Sequence, residues 1–145
     1  MDLKWIRRFL LLTQHISKWS KDPSTKTGAV IITPNQRIVS LGYNGYPRGL
    51  ADEGLQSRKI KYPRVIHAEM NAIFYARENL FGNYIFCSSP PCTNCAIGII
   101  QTGIQRVYSI FPEEDFISRW EENIQQADSF FESANVSHES HILIK

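Results

Sequence analysis

The sequence lacks most of the features that would assign a special environment. No apolar run nears the roughly 20 residues that a membrane-spanning helix needs. Leu10-Leu11-Leu12 lies near the N-terminus, but Asp2, Lys4, Arg7 and Arg8 surround it and no small-residue cleavage site follows. That argues against a secretory signal. There are only 3 cysteines, an odd count that speaks against a disulfide framework and for a reducing, cytoplasmic compartment. Charge of one sign is also scarce: 16 Lys and Arg against 14 Asp and Glu leave a net +2. So small a charge is no argument for a nucleic-acid or membrane partner. Repeats and low-complexity segments are absent, and 145 residues suggest one domain spanning 1–145.

Against this plain background two short stretches stand out. One is Val65-Ile66-His67-Ala68-Glu69-Met70-Asn71-Ala72-Ile73. The other is Ser89-Pro90-Pro91-Cys92-Thr93-Asn94-Cys95-Ala96. Together they read His-x-Glu, a gap, then Pro-Cys-x-x-Cys. Either half is weak alone, but in this order they form the signature of zinc nucleobase deaminases. The gap suits a helix running out from about Ile66 to Asn79, with Ile66, Met70, Ile73, Phe74 and Ala76 on its apolar side, and a strand returning over Asn83–Ser88. Cys92 then comes back beside His67, and Cys95 shares its side of a starting helix that stops at Gly103. One imidazole and two thiolates leave the fourth tetrahedral position for water, the open arrangement of a catalytic zinc site. Glu69 is close enough to exchange protons with that water without being a ligand. A structural zinc normally closes its shell with four ligands, and no fourth Cys or His stands near either motif.

The remaining chain reads as an ordinary α/β frame. Leu3 to about Trp19 is an amphipathic helix with Trp5, Phe9, Leu12 and Ile16 at helical spacing. The polar loop Ser20–Gly28 carries Ser24 and Lys26, the hydroxyl and ammonium groups that hold a phosphate, although without the glycine spacing of a P-loop. Ala29–Thr33 and Arg37–Tyr43 form a hairpin, followed by the glycine-rich turn Asn44–Gly49. Leu50–Arg64 is irregular, a candidate lid or rim, and its basic cluster Arg58, Lys59, Lys61 and Arg64 reads as solvated loop or as an attraction for phosphate. Cys87 reads as a small buried apolar residue. Gln105–Ile110 is a strand. A helix follows with Phe116, Ile117, Trp120, Ile124, Ala127 and Phe131 inward, closed by Asn135, and a last strand covers Val136–Ile144. His138 and His141 fall on opposite faces of that strand, which argues against a shared metal. The element order predicts a three-layer α/β/α fold with a mixed five-stranded sheet, in which strand–helix–strand units place parallel neighbours side by side.

The chain resembles the deoxycytidylate (dCMP) deaminases of the cytidine-deaminase-like superfamily. The resemblance runs through Ser20-Lys21-Asp22-Pro23, Gly28-Ala29-Val30, Gly42-Tyr43-Asn44-Gly45 with Pro47 and Gly49, His67–Ile73, Pro91–Ala96 and Gly103-Ile104. It implies that His67, Cys92 and Cys95 bind Zn²⁺, that Glu69 shuttles protons, that backbone around Ala68 holds the base, and that Asn44 contacts the deoxyribose and base. Ser24 and Lys26 become phosphate candidates. Many such enzymes are homohexamers activated by dCTP and inhibited by dTTP, each with Mg²⁺. Tyr43, Gly45, Tyr46, Phe74 and Arg77 lie where such effectors would act. Some relatives carry extra Cys and His before the His-Ala-Glu block for a second zinc. Gly49–Ile66 contains neither, so one zinc per chain is expected.

The implied reaction converts dCMP and water to dUMP and ammonia. A tRNA adenosine deaminase would share the zinc site but needs a basic surface for RNA. A deaminase of free cytidine or deoxycytidine would not require the 5′-phosphate. A non-enzymatic zinc or nucleotide-binding protein would need neither Glu69 nor an open metal position.

Overall fold

The computed structural model describes residues 1–143. Helix α1 (Leu3–Ser17) starts at Asp2, whose side chain accepts the Lys4 N–H at 2.8 Å. Strands β1 (Gly28–Ile32) and β2 (Ile38–Tyr43) follow, then the short helix α2 (Arg58–Lys61). Helix α3 (Ala68–Tyr75), strand β3 (Tyr84–Cys87), helix α4 (Thr93–Gln101) and strand β4 (Arg106–Ile110) come next. Helix α5 (Glu114–Ser133) and strand β5 (Ser137–His141) complete the frame. Ile144, the expected end of the last strand, lies outside the described residues. Among the described residues no helix is long and apolar enough to cross a membrane.

The sheet has five strands in the order β2-β1-β3-β4-β5 and is mixed. β1 is antiparallel to both β2 and β3, whereas β3, β4 and β5 run parallel. The expected parallel neighbours are therefore found at β3–α4–β4 and β4–α5–β5. They are not found at β2–α3–β3, because β1 slots between those two strands. The reason lies in composition: every residue of β1 is buried, and a continuous Gly-Ala-Val-Ile-Ile run belongs at the sheet centre, where both faces are covered. β2 is buried only at alternate positions and takes the edge.

Strand alternation sends side chains into two cores. Val30, Ile32, Phe86 and Tyr108 meet Ile6, Phe9, Leu10 and Ile16 of α1 on one face. Ala29, Ile31, Ile85, Cys87 and Val107 meet residues of α3, α4 and α5 on the other. That is the three-layer arrangement, and Cys87 is the buried apolar residue expected. Close packing at Gly42 of β2 sets the position of α3. A Cβ there would stand 2.5 Å from the Ala72 nitrogen and 2.6 Å from the Ala68 oxygen. Only glycine lets β2 approach α3 so closely.

Two expectations need correction. Helix α3 ends at Tyr75 rather than Asn79, and Phe74 is exposed, not part of its apolar face; the buried positions are Ala68, Glu69 and Ala72. Ala76 turns extended so that the chain can bury Leu80 in the core, and Arg37 holds Glu78 outside through two bonds of 2.9 and 2.7 Å. Tertiary burial outweighs a helical pattern here. The second correction concerns the basic cluster. Lys61 is not solvated: it is 4% exposed and pairs with Asp22, itself 5% exposed, at 3.1 Å.

The Lys61–Asp22 pair fastens the 46–66 segment to the 20–28 loop. Lys61 Nζ also donates to Ser24 Oγ at 2.8 Å. Burial by itself would raise the Asp22 carboxyl. The Thr25 and Ser24 backbone N–H groups, with Lys61 and the Ser24 hydroxyl, outweigh it and hold Asp22 below the usual carboxylate range. Breaking a buried pair by removing one partner costs about 3–5 kcal/mol, so Lys61→Met should lower unfolding free energy by that order in denaturant titration. The folded state binds fewer protons at Asp22 than the unfolded one. Its contribution is therefore complete above the unfolded value of about 3.9 and fades as pH falls through the lower folded value. Denaturant titrations across acid pH should show wild-type stability falling in that window.

Candidate metal centre at two helix N-termini

Helices α3 and α4 pack on the same face of the sheet, and each starts at a motif residue. His67 is the N-cap of α3 and Cys92 the N-cap of α4. Neither side chain caps its own helix, because both turn towards each other instead. His67 Nδ1 stands 3.4 Å from Cys92 Sγ and 3.3 Å from Cys95 Sγ. His67 is on the exposed side, Cys92 is half-buried and Cys95 is buried, so the group is closed below and open above.

The donor set fits a zinc ion. With Zn–S near 2.3 Å and Zn–N near 2.0 Å, tetrahedral angles put the N–S edge at about 3.5 Å. The observed separations match that edge. Among the described residues this is the one His, Cys, Asp or Glu group in which three ligand atoms lie within 4.8 Å of one another.

The electrostatics suit the same use. The hydrogen bond from Cys95 and the neighbouring His67 outweigh burial and lower the Cys92 thiol to about 4. Cys95 is pushed up by that hydrogen bond to Cys92, with burial and Glu69 adding to it. Cys92 in turn raises His67. Two helix N-termini add partial positive charge beside the sulfurs. Glu69, in the first turn of α3, is 5% exposed. Burial raises its carboxyl, against opposing effects from His67 and Cys95, and a raised carboxyl is suited to carrying a proton.

The other expected residues fall into two groups. Asn44 is buried on the loop side: its Oδ1 accepts the Thr27 N–H at 2.9 Å and its Nδ2 donates to the Thr25 carbonyl at 2.8 Å. Ser24 bonds to Asp22 and Lys61, and the exposed Lys26 donates to the Ser20 carbonyl at 2.5 Å. The turn holding Asn44 is tied to the metal centre through the Gly45–Ile66 bridge, with bonds of 3.1 and 2.8 Å. Ala68 opens α3 directly after His67. Tyr43, Gly45, Tyr46, Phe74 and Arg77 all line one cleft of about 660 Å³ beside β2 and α3. Sequence reasoning missed Arg48 and Tyr75 in the same cleft. Arg48 lies 4.8 Å over the Tyr75 ring and donates to its hydroxyl at 3.2 Å. The only hint was a lone arginine in the glycine-rich turn.

Known proteins bear on this geometry. The profile of the family described as "Cytidine and deoxycytidylate deaminase zinc-binding region" matches residues 3–111. An uncharacterized deaminase in the luxG 3′ region of Aliivibrio fischeri is 49% identical over 137 residues, covering 94% of this chain and 92% of that protein. The deoxycytidylate deaminase of Mus musculus is 38% identical over 113 residues, covering 72% of this chain but 64% of that protein. The chain thus spans just under two-thirds of the mouse relative. Among solved structures, the dCMP deaminase of cyanophage S-TIM5 superposes with a TM-score of 0.78 at 24% identity, covering 97% of this chain and 100% of that one. At that identity the likeness shows the fold. The phage protein has also been solved in complex with dCMP and dUMP.

Elemental analysis of purified protein should give one zinc per chain, falling to near zero in Cys95→Ser, because two ligands hold the ion poorly. Two equivalents in the wild type would contradict the single centre.

Proposed function

The chain belongs to the cytidine and deoxycytidylate deaminase family defined by that zinc-binding region, and we propose that it is a dCMP deaminase, converting dCMP and water to dUMP and ammonia. The observation that carries this reading is the open His67–Cys92–Cys95 group, its imidazole within 3.3–3.4 Å of both sulfurs, with Glu69 buried next to it. His67, Cys92 and Cys95 would hold Zn²⁺, a Lewis acid that activates water at neutral pH. Glu69 takes a proton from the attacking water and delivers it to N3 of cytosine, which makes C4 more electrophilic. Once the water oxygen has bonded to C4, Glu69 takes the remaining proton from the C4 hydroxyl and passes it to the amine, which leaves as ammonia when the C4–N bond breaks. Backbone at Ala68, at the positive end of α3, holds the base.

Asn44 is assigned to the deoxyribose and base. Its amide still has one acceptor lone pair and one N–H beyond those engaged by Thr27 and Thr25. Ser24 and Lys26 are assigned to the 5′-phosphate, on a loop that Asp22 and Lys61 already hold in shape. A requirement for that phosphate separates dCMP from free deoxycytidine. The reduced cysteines and a nucleotide substrate fit a cytoplasmic enzyme, in a cell or in the host of a virus.

Regulation is assigned to the cleft beside β2. Tyr43, Tyr46 and Phe74 offer rings for a base, and Arg48 and Arg77 offer guanidinium groups for phosphates. We read it as the site for dCTP as activator and dTTP as inhibitor, each with Mg²⁺. Its lining includes Ile66 and Asn71, on either side of His67 and Glu69, so occupancy bears on the catalytic helix. The exposed Phe74 and Tyr75 on the cleft wall support a homo-oligomer, for which the family resemblance implies a hexamer. One sheet carries all the strands described, which supports a single domain over 1–145.

Zinc-loaded protein should deaminate dCMP and leave deoxycytidine, dCTP and an RNA stem-loop unchanged in an ammonia-release assay. Activity on RNA alone, or none, would overturn the proposal. Glu69→Gln should keep its zinc and lose about 10²–10⁴-fold in kcat, the usual share of a general acid–base group. A fully active variant would remove Glu69 from the mechanism. Arg77→Ala should abolish the response of rate to added dCTP, and an unchanged response would remove Arg77 from the effector site.

A further inference from the structure

The cysteine helix has a capping problem. A helix start leaves its first N–H groups without intrahelical partners, and an N-cap side chain normally accepts from one of them. In α4 the N-cap is Cys92, and it makes no such bond because its sulfur faces His67 and Cys95. For the first helical N–H, that of Thr93, the acceptor comes from thirty residues away: Asn123 of α5 takes it on Oδ1 at 3.0 Å. Its Nδ2 donates to the Thr93 hydroxyl at 3.4 Å. Asn is a poor residue for the middle of a helix, and α5 is twenty residues long with only Ala127 and Phe131 buried. Asn123 sits one turn before Ala127, half-buried between the two helices.

We infer that Asn123 is a positioning residue for the metal centre: by gripping the Thr93 peptide it fixes the Cys92 sulfur against His67 and Cys95. This rests on the zinc reading of that group. Thr93 directly follows Cys92, so the gripped N–H belongs to the peptide unit that carries the Cys92 carbonyl. Movement of that peptide turns the Cys92 side chain. The loss of partners that orient metal ligands typically costs 10–100-fold in affinity or activity. Asn123→Ala leaves the Thr93 N–H without its acceptor and Cys92 free to swing.

The test is the rate at which zinc-loaded full-length protein gives up its metal to excess coloured chelator. Asn123→Ala should release zinc about tenfold faster than wild type. Thr93→Pro provides the second variant. Proline is favoured at the first helical position, it removes the N–H, and the extended Cys92 backbone (φ −73°, ψ 171°) tolerates a following proline. Release should be faster in Thr93→Pro, and adding Asn123→Ala should change it no further, because nothing is left for Asn123 to hold. Phe131→Leu, which loosens the same helix elsewhere, should lower Tm without quickening release. Asn123→Ala releasing at the wild-type rate, or speeding release equally in both backgrounds, overturns the inference while the zinc reading stands. Wild-type protein that carries no zinc overturns both.

Discussion

The Nδ1 of His67 must meet the sulfurs of Cys92 and Cys95 at 3.4 and 3.3 Å. They come from two helices separated in sequence by a strand, so the whole frame has to bring two helix N-termini face to face. β2 and β3 run in the same direction, each antiparallel to β1, so α3 and α4, which follow them in the chain, start towards the same edge of the sheet. β3 in turn is held by antiparallel pairing with the wholly buried β1. Ser88 continues that grip beyond the strand end: its N–H donates to Gly28 and its hydroxyl accepts from the Gly28 N–H at 2.9 Å. On the other flank, Gly42 lets α3 settle on β2. A side chain there would push away the helix that carries His67 and Glu69.

Using ligands as N-caps has electrostatic consequences. The partial positive charge of a helix start stabilises thiolate, and Cys92 is correspondingly low, at about 4, under the influence of Cys95 and His67. Glu69 sits in the same place yet moves the other way, because burial outweighs His67. Two acidic groups at neighbouring helix starts are thus driven in opposite directions. One is suited to a metal and the other to a proton: hydrogen bonding prevails over burial at Cys92, and burial prevails over its neighbours at Glu69.

What the sequence disclosed follows from how local each feature is. The clustering of His67, Cys92 and Cys95, the α1 face and the buried β1 run were legible because spacing or apolar continuity is written in consecutive residues. The end of α3 was not, since Leu80 rather than any helix breaker decides it. Lys61 read as one basic residue among four, and only folding brings it to Asp22, thirty-nine positions away. Asn123 carried no signal at all: its partner Thr93 lies thirty residues earlier and belongs to a motif whose cysteines draw the attention. Interactions closed by tertiary structure between unremarkable polar residues are the part a single sequence hides.

Helix α5 shows what such hidden interactions do. With so little of its surface buried, hydrophobic packing cannot alone fix its rotation or its height. Polar bonds act at two points along it. At its middle, Asn123 holds Thr93. Towards its end, Asp128 Oδ1 lies 2.6 Å from His138 Nδ1, while His138 Nε2 meets Ser109 Oγ at 2.9 Å and Ser109 meets Ser140 at 2.9 Å. That Asp–His–Ser sequence has the connectivity of a nucleophilic triad, but Ser109 is fully buried and no substrate can reach it. Its effect is to bind α5 to β4 and to the edge strand β5. A helix fastened in its second half to the sheet and at its middle to the cysteine helix transmits the rigidity of the sheet to Cys92.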